Sequence, residues 1–529
     1  MCYRDFVRSE SRWLILASFV TLAGCGGNSG TSSSLPASWT PGVFPASGTF
    51  ASRCASPRTG IDPYTGVRYP DIQGSTLTEN NFLRSWTNEL YLWYSEVPDL
   101  DPSLYATPAY FNLLKTSALT PSGAAKDKFH FTYVTSQWEA LSQSGVEAGY
   151  GAEFLVLASK PPRLVMVAYT QPNTVATSPP ANLARGAKVL TVDGVDVVNA
   201  SDSASVATLN EGLFPTVTGA SHTFSVLDAG AMTPRTITMV SANVTSTPVQ
   251  SVETLNAGTV GYMLFNDHLA TAEGELITAF QQLANAHVTD LVLDIRYNGG
   301  GYLDIASEVA YMIAGSAQTT GKTFEQTVFN DKHPAVDPVT GRVITPVAFH
   351  ATAQGFSGPA SGTPLPTLNL MRVVVLTGAN TCSASESIIN SLRGVGLQVI
   401  LIGGTTCGKP YGFYPQDNCG TTYFSIEFKG VNQQGFGDYP DGFSPANATG
   451  TVGVQIPGCA VADDFTHVLG DSSEARLAAA LGYLTSATCP APSSSASLTR
   501  SPVVGAQVRP VTDGLLHRSP FRENRILRW

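Results

Sequence analysis

The chain has 529 residues, a length that allows two to four domains, and 43% of them are hydrophobic, so a large core can form. Charged residues make up only 13%, about half of the usual share of roughly 25%. The formal net charge of −10 argues against nucleic acid as the main partner, because binding to a phosphate backbone depends on basic side chains.

The first 24 residues have the layout of an export signal. Three arginines precede the apolar run 13–22, which is too short for a membrane span of about 20 residues. The run ends in Leu-Ala-Gly-Cys at Cys25, which resembles the bacterial lipobox, whose cysteine is lipidated before cleavage. A buried helix with a chance cysteine is the alternative. We expect a signal peptide over 1–24 and lipidation of Cys25. Because Gly26 follows, and not Asp, the resemblance implies the outer membrane, on the periplasmic side.

Export also predicts disulfides, which persist in oxidising compartments. Once Cys2 and Cys25 are set aside, six cysteines remain, namely Cys54, Cys382, Cys407, Cys419, Cys459 and Cys489. The sequence does not choose among their pairings. A Cys382–Cys407 bond would tie the segment of Ser383 to that of Lys409, while Cys407–Cys419 and Cys459–Cys489 are equally open local pairs. Neither a Cys-x-x-Cys pair nor a His-Glu-x-x-His motif occurs, so we expect no metal site and no cofactor.

The next segments predict a tether and then a helical domain. Residues 25–45 are rich in Gly, Ser, Thr and Pro, which is typical of a flexible tether. After Thr78, large apolar side chains recur at helical spacing, namely Phe82, Leu83, Trp86, Leu90, Leu92 and Trp93. Prolines interrupt this pattern, and the apolar cluster 110–114 predicts a second helix. We expect a helical N-terminal domain over 46–146, with its aromatic residues in a core and not at a ligand site.

Residues 147–245 predict a small β-rich domain. Four short runs of strand-forming residues occur, at 154–157, 164–167, 188–192 and 236–239, and Asp193-Gly194 is a hairpin turn signal. The stretch 182–196 resembles the central hairpin of a PDZ domain. The loop Gly149, Tyr150, Gly151 and Ala152 is similar to the glycine loop with which such domains bind a peptide carboxylate through backbone N–H groups. The alternative is any small β-barrel with a glycine-rich turn.

From residue 246 to 490, strand patterns alternate with helical patterns, which predicts an α/β core built of βαβ units. After about residue 490 the chain becomes rich in Ser and then in Arg. Six arginines against Asp513 and Glu523 give this end a formal charge of +4. We expect a disordered tail over 491–529 that could touch anionic lipid head groups.

Ser383 and Lys409 are the candidate catalytic pair. Ser383 opens a predicted helix after the apolar strand 373–376, and Lys409 follows the next apolar strand, 399–402. A serine hydroxyl needs a base to become a nucleophile, and a lysine kept neutral in an apolar pocket can act as one. Lowering the pKa of a lysine from about 10.4 to about 7–8 corresponds to about 4 kcal/mol, which burial can supply.

Each member of this pair also has an ordinary structural interpretation. Ser383-Ala-Ser-Glu386 is a capping box, and most such serines only cap a helix. Most lysines at strand ends are solvated. For Lys409, apolar cover is available from Ile400, Ile402, Tyr411, Phe413 and Tyr414.

A glycine-rich loop, Arg296-Tyr-Asn-Gly-Gly-Gly301, follows the buried strand 291–295. Glycines there let the backbone approach a ligand closely, and ligands of open α/β sheets bind at the carboxyl ends of strands. A plain glycine turn is the alternative.

These three motifs, in this order and spacing, resemble the tail-specific (C-terminal processing) peptidases, family S41, over about 78–488. The resemblance implies that Ser383 is the nucleophile and Lys409 the general base, and that the N–H groups of Gly300 and Ala384 hold the oxyanion. Many members carry Gln or Glu four residues after the lysine, where this chain has Phe413. Gln416 could substitute, or the dyad could work unaided.

The sequence therefore predicts an α/β multidomain protein with a helical N-terminal cap, a PDZ-like β-rich domain and a serine protease core. We expect a lipid-anchored serine endopeptidase that cleaves extended polypeptides in the cell envelope. A non-catalytic PDZ-type peptide-binding lipoprotein is the alternative. A Ser–His–Asp esterase is a third interpretation, but no G-x-S-x-G elbow occurs, and His130, His222 and His268 have the pattern of ordinary surface or core residues.

Overall fold

The computed structural model describes residues 39–491 and 525–526, and all elements below belong to the compact unit that begins at Thr40. The predicted signal peptide, Cys25, most of the tether and nearly all of the predicted tail lie outside these residues. Within the described part of the chain, no helix combines the length and the apolar character needed to cross a membrane.

The N-terminal region contains both predicted helices and also three short strands. Its elements are β1 (Arg53–Cys54), β2 (Ile72–Gln73), α1 (Thr76–Leu90), α2 (Thr107–Leu113), β3 (Phe131–Val134) and α3 (Thr135–Ser144). Helix α1 begins after Ser75, whose side chain accepts a hydrogen bond from the Thr78 N–H. The predicted apolar face is buried at Phe82, Leu83 and Trp86. Strand β3 pairs with residues 421–424, so this region is joined to the core by a sheet.

The β-rich region contains the four predicted strands. Its elements are β4 (Val146–Gly149), β5 (Ala152–Ala158), β6 (Leu164–Thr170), β7 (Lys188–Val192), β8 (Val195–Asp196), α4 (Ser203–Leu213), β9 (Ser221–Leu227), β10 (Arg235–Val240) and β11 (Ala242–Thr245). One antiparallel sheet has the order β10-β9-β7-β6-β5, and β8 pairs with β7 across the predicted turn at Asp193 and Gly194. Both turn residues have positive φ, as a tight hairpin requires. Strand β5 lies at the edge of this sheet.

The core alternates strands and helices as predicted. Its elements are β12 (Val249–Leu255), β13 (Val260–Phe265), α5 (Ala272–Asn285), β14 (Asp290–Asp294), β15 (Gly301–Tyr302), α6 (Leu303–Ala314), α7 (Ser316–Thr319), β16 (Thr323–Val328), β17 (Val347–Ala348), β18 (Arg372–Thr377), α8 (Ala384–Gly394), β19 (Gln398–Gly403), β20 (Tyr411–Gly412), β21 (Gln416–Asn418), β22 (Thr421–Phe424), β23 (Phe428–Val431), β24 (Phe443–Pro445), β25 (Val454–Ile456), β26 (Gly458–Ala460) and α9 (Ala475–Ser486). A last short strand, β27 (Arg525–Ile526), pairs in parallel with β15.

A six-stranded sheet of order β12-β13-β14-β18-β19-β26 forms the centre of the core. Its strands are parallel except for β12. Helices α5, α6 and α8 bury their apolar faces on one side, and α9 covers the other side. Because both faces are covered, the central strands carry continuous apolar runs. Because β14, β18 and β19 are parallel neighbours, their carboxyl ends meet at one edge of the sheet. The segments that carry the glycine loop, Ser383 and Lys409 extend from this edge.

Three disulfides connect the described residues. Cys382 pairs with Cys407, and Cys459 pairs with Cys489. These are two of the three cysteine pairings that the sequence left open. The alternative Cys407–Cys419 is wrong, because Cys419 pairs with Cys54 across 365 positions of sequence. That long-range bond attaches the N-terminal region to the turn between β21 and β22.

Candidate active site

Ser383 lies six residues after the last residue of β18 and immediately precedes the first residue of α8. Its backbone has φ 60° and ψ −117°, which is uncommon for a residue with a side chain and places it in a sharp strand-to-helix turn. The residue is fully buried, and its N–H donates to Glu386 Oε2 at 3.0 Å. Its Oγ makes no hydrogen bond with the described residues. The firm hydrogen bond of the capping box at this helix start is thus the one that the Glu386 carboxylate accepts from the Ser383 N–H.

Lys409 is 0% exposed, in contrast to an ordinary lysine at a strand end. Its Nζ lies 4.3 Å from the ring centroid of Phe413 and 4.8 Å from that of Phe129. Phe413, at the position where many S41 members carry Gln or Glu, thus contacts the amine with its aromatic face. Gln416 was the possible substitute for that Gln or Glu, and its side-chain amide donates to the Asp417 carbonyl at 2.8 Å.

Glu386 joins the segments that carry Ser383 and Lys409. Its carboxylate accepts hydrogen bonds from the N–H groups of Ser383, Gly408 and Lys409 and from the Thr406 hydroxyl. Burial raises the pKa of this carboxyl, although the same hydrogen bonds act in the opposite direction. One buried carboxylate therefore sets the separation between the two backbones.

A second link between the same segments is covalent. The Cys382–Cys407 disulfide holds the two Cα atoms 5.2 Å apart, one residue before Ser383 and two before Lys409. The sulfur atoms and the Glu386 carboxylate lie within 4.8 Å of one another, which is close enough for a shared metal ion. Since the sulfurs are bonded to each other, they are not available as thiolate ligands.

Gly300 lies against the turn that contains Ser383. It has φ +102°, and a Cβ at this position would be 2.8 Å from both the Ala384 nitrogen and the Ser383 Cβ. The Gly300 N–H donates to Asn298 Oδ1 at 2.9 Å, so it would have to leave that oxygen before it could hold an oxyanion. The Ala384 N–H is in the first turn of α8, where such groups have no partner within the helix.

His268 is a neighbour of this loop that the motifs did not indicate. Its ring Nδ1 lies 2.9 Å from Asn298 Oδ1, and its backbone N–H donates to the Gly300 carbonyl. Burial lowers the pKa of the imidazole to about 3, despite these hydrogen bonds, so the ring is neutral at neutral pH. Its partner is an amide and not the carboxylate that a Ser–His–Asp triad requires.

The other two histidines considered above, His130 and His222, have partners in other regions of the structure. His130 is buried in the N-terminal region, where its ring stacks on Phe111, and His222 pairs with Asp193 in the β-rich region.

The loop 149–152 lies in the β-rich region. Tyr150 is buried, and its hydroxyl donates to the Gly212 carbonyl at 2.9 Å. Gly151 has φ +82°, and its carbonyl accepts from the Gln171 N–H at 2.7 Å. Ala152 opens the edge strand β5. The tyrosine side chain therefore supports the loop from the core of the β-rich region.

Glu386 and Phe129 are the contacts that sequence reasoning missed. Glu386 was recognised only as a capping residue, because a local motif carries no signal for its bonds to Gly408 and Lys409. Phe129 precedes Lys409 by 280 positions of sequence, and no periodicity links the two. Of the five residues expected to cover Lys409, Phe413 contacts the amine, and Tyr411 and Tyr414 are buried nearby in sequence. Ile400 and Ile402 instead pack in the apolar cluster on the side of the central sheet that α9 covers.

Substitution of Gly300 by alanine tests the contact between the glycine loop and the serine turn. We expect Gly300→Ala to lower kcat by about 10²-fold, because a displacement near 1 Å in such a site has that effect. The measurement is steady-state cleavage of a peptide. Gly396→Ala is the matched control, since Gly396 also has positive φ but no atom lies within 4 Å of the place that a Cβ would occupy. It should cost about 1–2 kcal/mol of stability and retain kcat. Equal kcat values for Gly300→Ala and Gly396→Ala would contradict a role of the Gly300 contact in the active site.

Comparisons with known proteins agree with this arrangement. Residues 259–413 match the family model of peptidase family S41. A carboxyl-terminal-processing protease from Picosynechococcus sp. is 26% identical over 223 residues, which are 42% of this chain and 45% of that protein. The match thus spans less than half of that relative's length.

A solved structure from Bacteroides fragilis, assigned as an S41 protease, has the same fold. It superposes with a TM-score of 0.56 and 22% identity over 79% of this chain and 98% of that chain. The resemblance to the S41 peptidases predicted from the three motifs is confirmed for residues 259–413, which match the model of peptidase family S41.

Proposed function

We propose that this protein is a serine endopeptidase in which Ser383 is the nucleophile and Lys409 the general base. The observation that carries the proposal is the junction at Glu386, whose Oε2 accepts from the Ser383 N–H at 3.0 Å and from the Lys409 N–H at 2.8 Å. This junction links the backbones of a buried serine and a buried lysine within the segment that matches the peptidase family model, which supports the proposed pair.

In the proposed reaction, the Ser383 hydroxyl gives its proton to the neutral Lys409 amine and its oxygen attacks the peptide carbonyl. The Ala384 N–H holds the oxyanion, joined by the Gly300 N–H once it leaves Asn298. The Lys409 ammonium then protonates the leaving amine, and the C–N bond breaks to leave an acyl-enzyme. Water, deprotonated by Lys409, releases the acyl group. The Ser383 Oγ must turn toward Nζ on substrate binding, since catalytic hydrogen bonds tighten in the complex.

The β-rich region supplies a means of holding the substrate. Strand β5 is an edge strand, to which an extended peptide can add by main-chain hydrogen bonds. The preceding turn, 149–151, includes Gly151 at positive φ, and such turns form nests for a carboxylate. We propose that this PDZ-like region binds the C-terminal end of a polypeptide and presents the chain to Ser383.

We propose the periplasmic side of the outer membrane as the location, with the chain anchored through lipid on Cys25. The signal-like start of the sequence supports this location. The three disulfides add support, because such bonds persist in oxidising compartments.

The test is digestion of an unfolded protein, followed by mass spectrometry of the new ends. Purified wild type should produce new termini, and Ser383→Ala should produce none above background. An active-site phosphonate probe should label wild type at Ser383. A chain that binds the unfolded protein but neither cuts it nor takes the probe would be a peptide-binding lipoprotein, and the peptidase proposal would then be wrong.

A further inference from the structure

We infer that the Cys382–Cys407 disulfide is a positioning element of the peptidase site, so that turnover depends on the oxidised state of this one bond. The inference rests on the proposed function, because it concerns the alignment of Ser383 with Lys409. Neither sulfur touches the substrate in the proposed reaction. The bond acts through the two residues that follow it in sequence.

The bond lies immediately beside both proposed reacting residues. Cys382 is adjacent to Ser383 and Cys407 is two residues before Lys409, and the Cα atoms of the two cysteines are 5.2 Å apart. The Cys407 N–H also donates to the Thr381 carbonyl at 3.0 Å, so the two segments are paired there. A change of the sulfur–sulfur distance would therefore be transmitted to both reacting side chains within two residues.

Hydrogen bonds still link the two segments when the disulfide is broken. Glu386 still links the segments through its hydrogen bonds, so the fold is expected to survive reduction. Ser383, however, is held at φ 60°, a conformation that persists only where the surroundings enforce it. Loss of the covalent link gives this turn a way to relax without unfolding the sheet.

The Cys382–Cys407 disulfide is accessible from one side. Cys382 is buried, but Cys407 is only partly buried, so a small thiol can reach the bond from the Cys407 side. Two electrons and two protons from a dithiol convert the disulfide into two thiols, and the dithiol becomes a cyclic disulfide. Reoxidation reverses the step.

The chain contains a matched control. Cys459–Cys489 spans 30 positions, compared with 25 for Cys382–Cys407, and its Cα separation of 5.4 Å is similar. It joins β26 to the segment after α9 and packs in the apolar cluster on the other face of the central sheet. Removing it alters stability in a comparable way but leaves the two catalytic segments linked.

The experiment compares wild type, Cys382→Ala/Cys407→Ala and Cys459→Ala/Cys489→Ala in cleavage of a quenched fluorescent peptide. We expect the first double variant to lose about 10-fold to 10²-fold in kcat with little change of KM, as misalignment of reacting groups predicts. The second should retain kcat, while thermal unfolding reports the stability of both. Equal kcat values in the two double variants would overturn the inference. Wild type that cleaves nothing would overturn the proposed function itself.

Reduction of wild type provides the second measurement and does not depend on how the variants fold. Dithiothreitol is titrated, free thiols are alkylated, and mass spectrometry gives the reduced fraction of each pair. The rate should fall in proportion to reduction of Cys382 and Cys407 and recover on reoxidation, with circular dichroism unchanged. Full activity with both of these cysteines alkylated would overturn the inference, as would a loss that follows only Cys459 and Cys489.

Discussion

Ser383→Ala is expected to lower kcat by about 10⁶-fold, the size of effect found when the nucleophile of a serine protease is removed. The change removes only an oxygen that makes no hydrogen bond with the described residues, so folding should be intact. The Glu386 hydrogen bond to this residue comes from the backbone N–H and survives the substitution. The measurement is kcat for peptide cleavage, with circular dichroism and thermal unfolding as checks of the fold.

Ser391→Ala is the control for that experiment. Ser391 is also buried in α8, and its hydroxyl donates to the Ser387 carbonyl within the helix. This variant removes the same oxygen from the same helix without touching the proposed site, so kcat should stay within about twofold of wild type, as for substitutions that leave transition-state contacts intact. Turnover by Ser383→Ala at the rate of Ser391→Ala would rule out Ser383 as the nucleophile.

Lys409→Met is expected to lower kcat by about 10³-fold or more, since general-base catalysis contributes about 10²–10⁴-fold. Methionine has a similar length and keeps the contacts with Phe129 and Phe413, but it has no group that can take a proton. Thermal unfolding is measured alongside, so that a loss of activity is separated from a loss of stability. The readouts are kcat, KM and thermal unfolding on the same preparation.

Lys429→Met is the matched control, because Lys429 lies in β23 and is only half buried. It should retain kcat. If Lys409→Met cleaves as fast as Lys429→Met while Ser383→Ala is inactive, Ser383 remains the nucleophile but its base is another group. The dyad would then have to be replaced, and neutral His268 would become the first side chain to test.

The central part of the chain was predicted well from its sequence, and the reason is local. Apolar runs such as 373–376 and 399–402 follow the pattern of strands buried on both faces, and Ser383 and Lys409 each lie in the segment that follows such a strand, six residues after its end. In a parallel sheet the carboxyl ends of neighbouring strands meet at one edge, so adjacency in sequence already predicted proximity in space.

The N-terminal region was predicted less completely. Both helices were expected from their periodicity, and α1 and α2 confirm them. Strand β3 was not expected, because its four residues gain their structure from pairing with β22, about 290 positions later in the chain. A strand this short carries little pattern of its own.

The residue types that could perform the chemistry follow from the amino-acid sequence: a hydroxyl at a helix start, an amine after a strand, glycines at a strand end, and cysteines beside the first two. The tertiary structure sets how they are held. It paired Cys54 with Cys419, placed Phe129 against Lys409, and directed the Glu386 carboxylate to the Lys409 N–H. These contacts join residues through packing and hydrogen-bond geometry that no local pattern encodes, because each depends on the positions of all the elements between them.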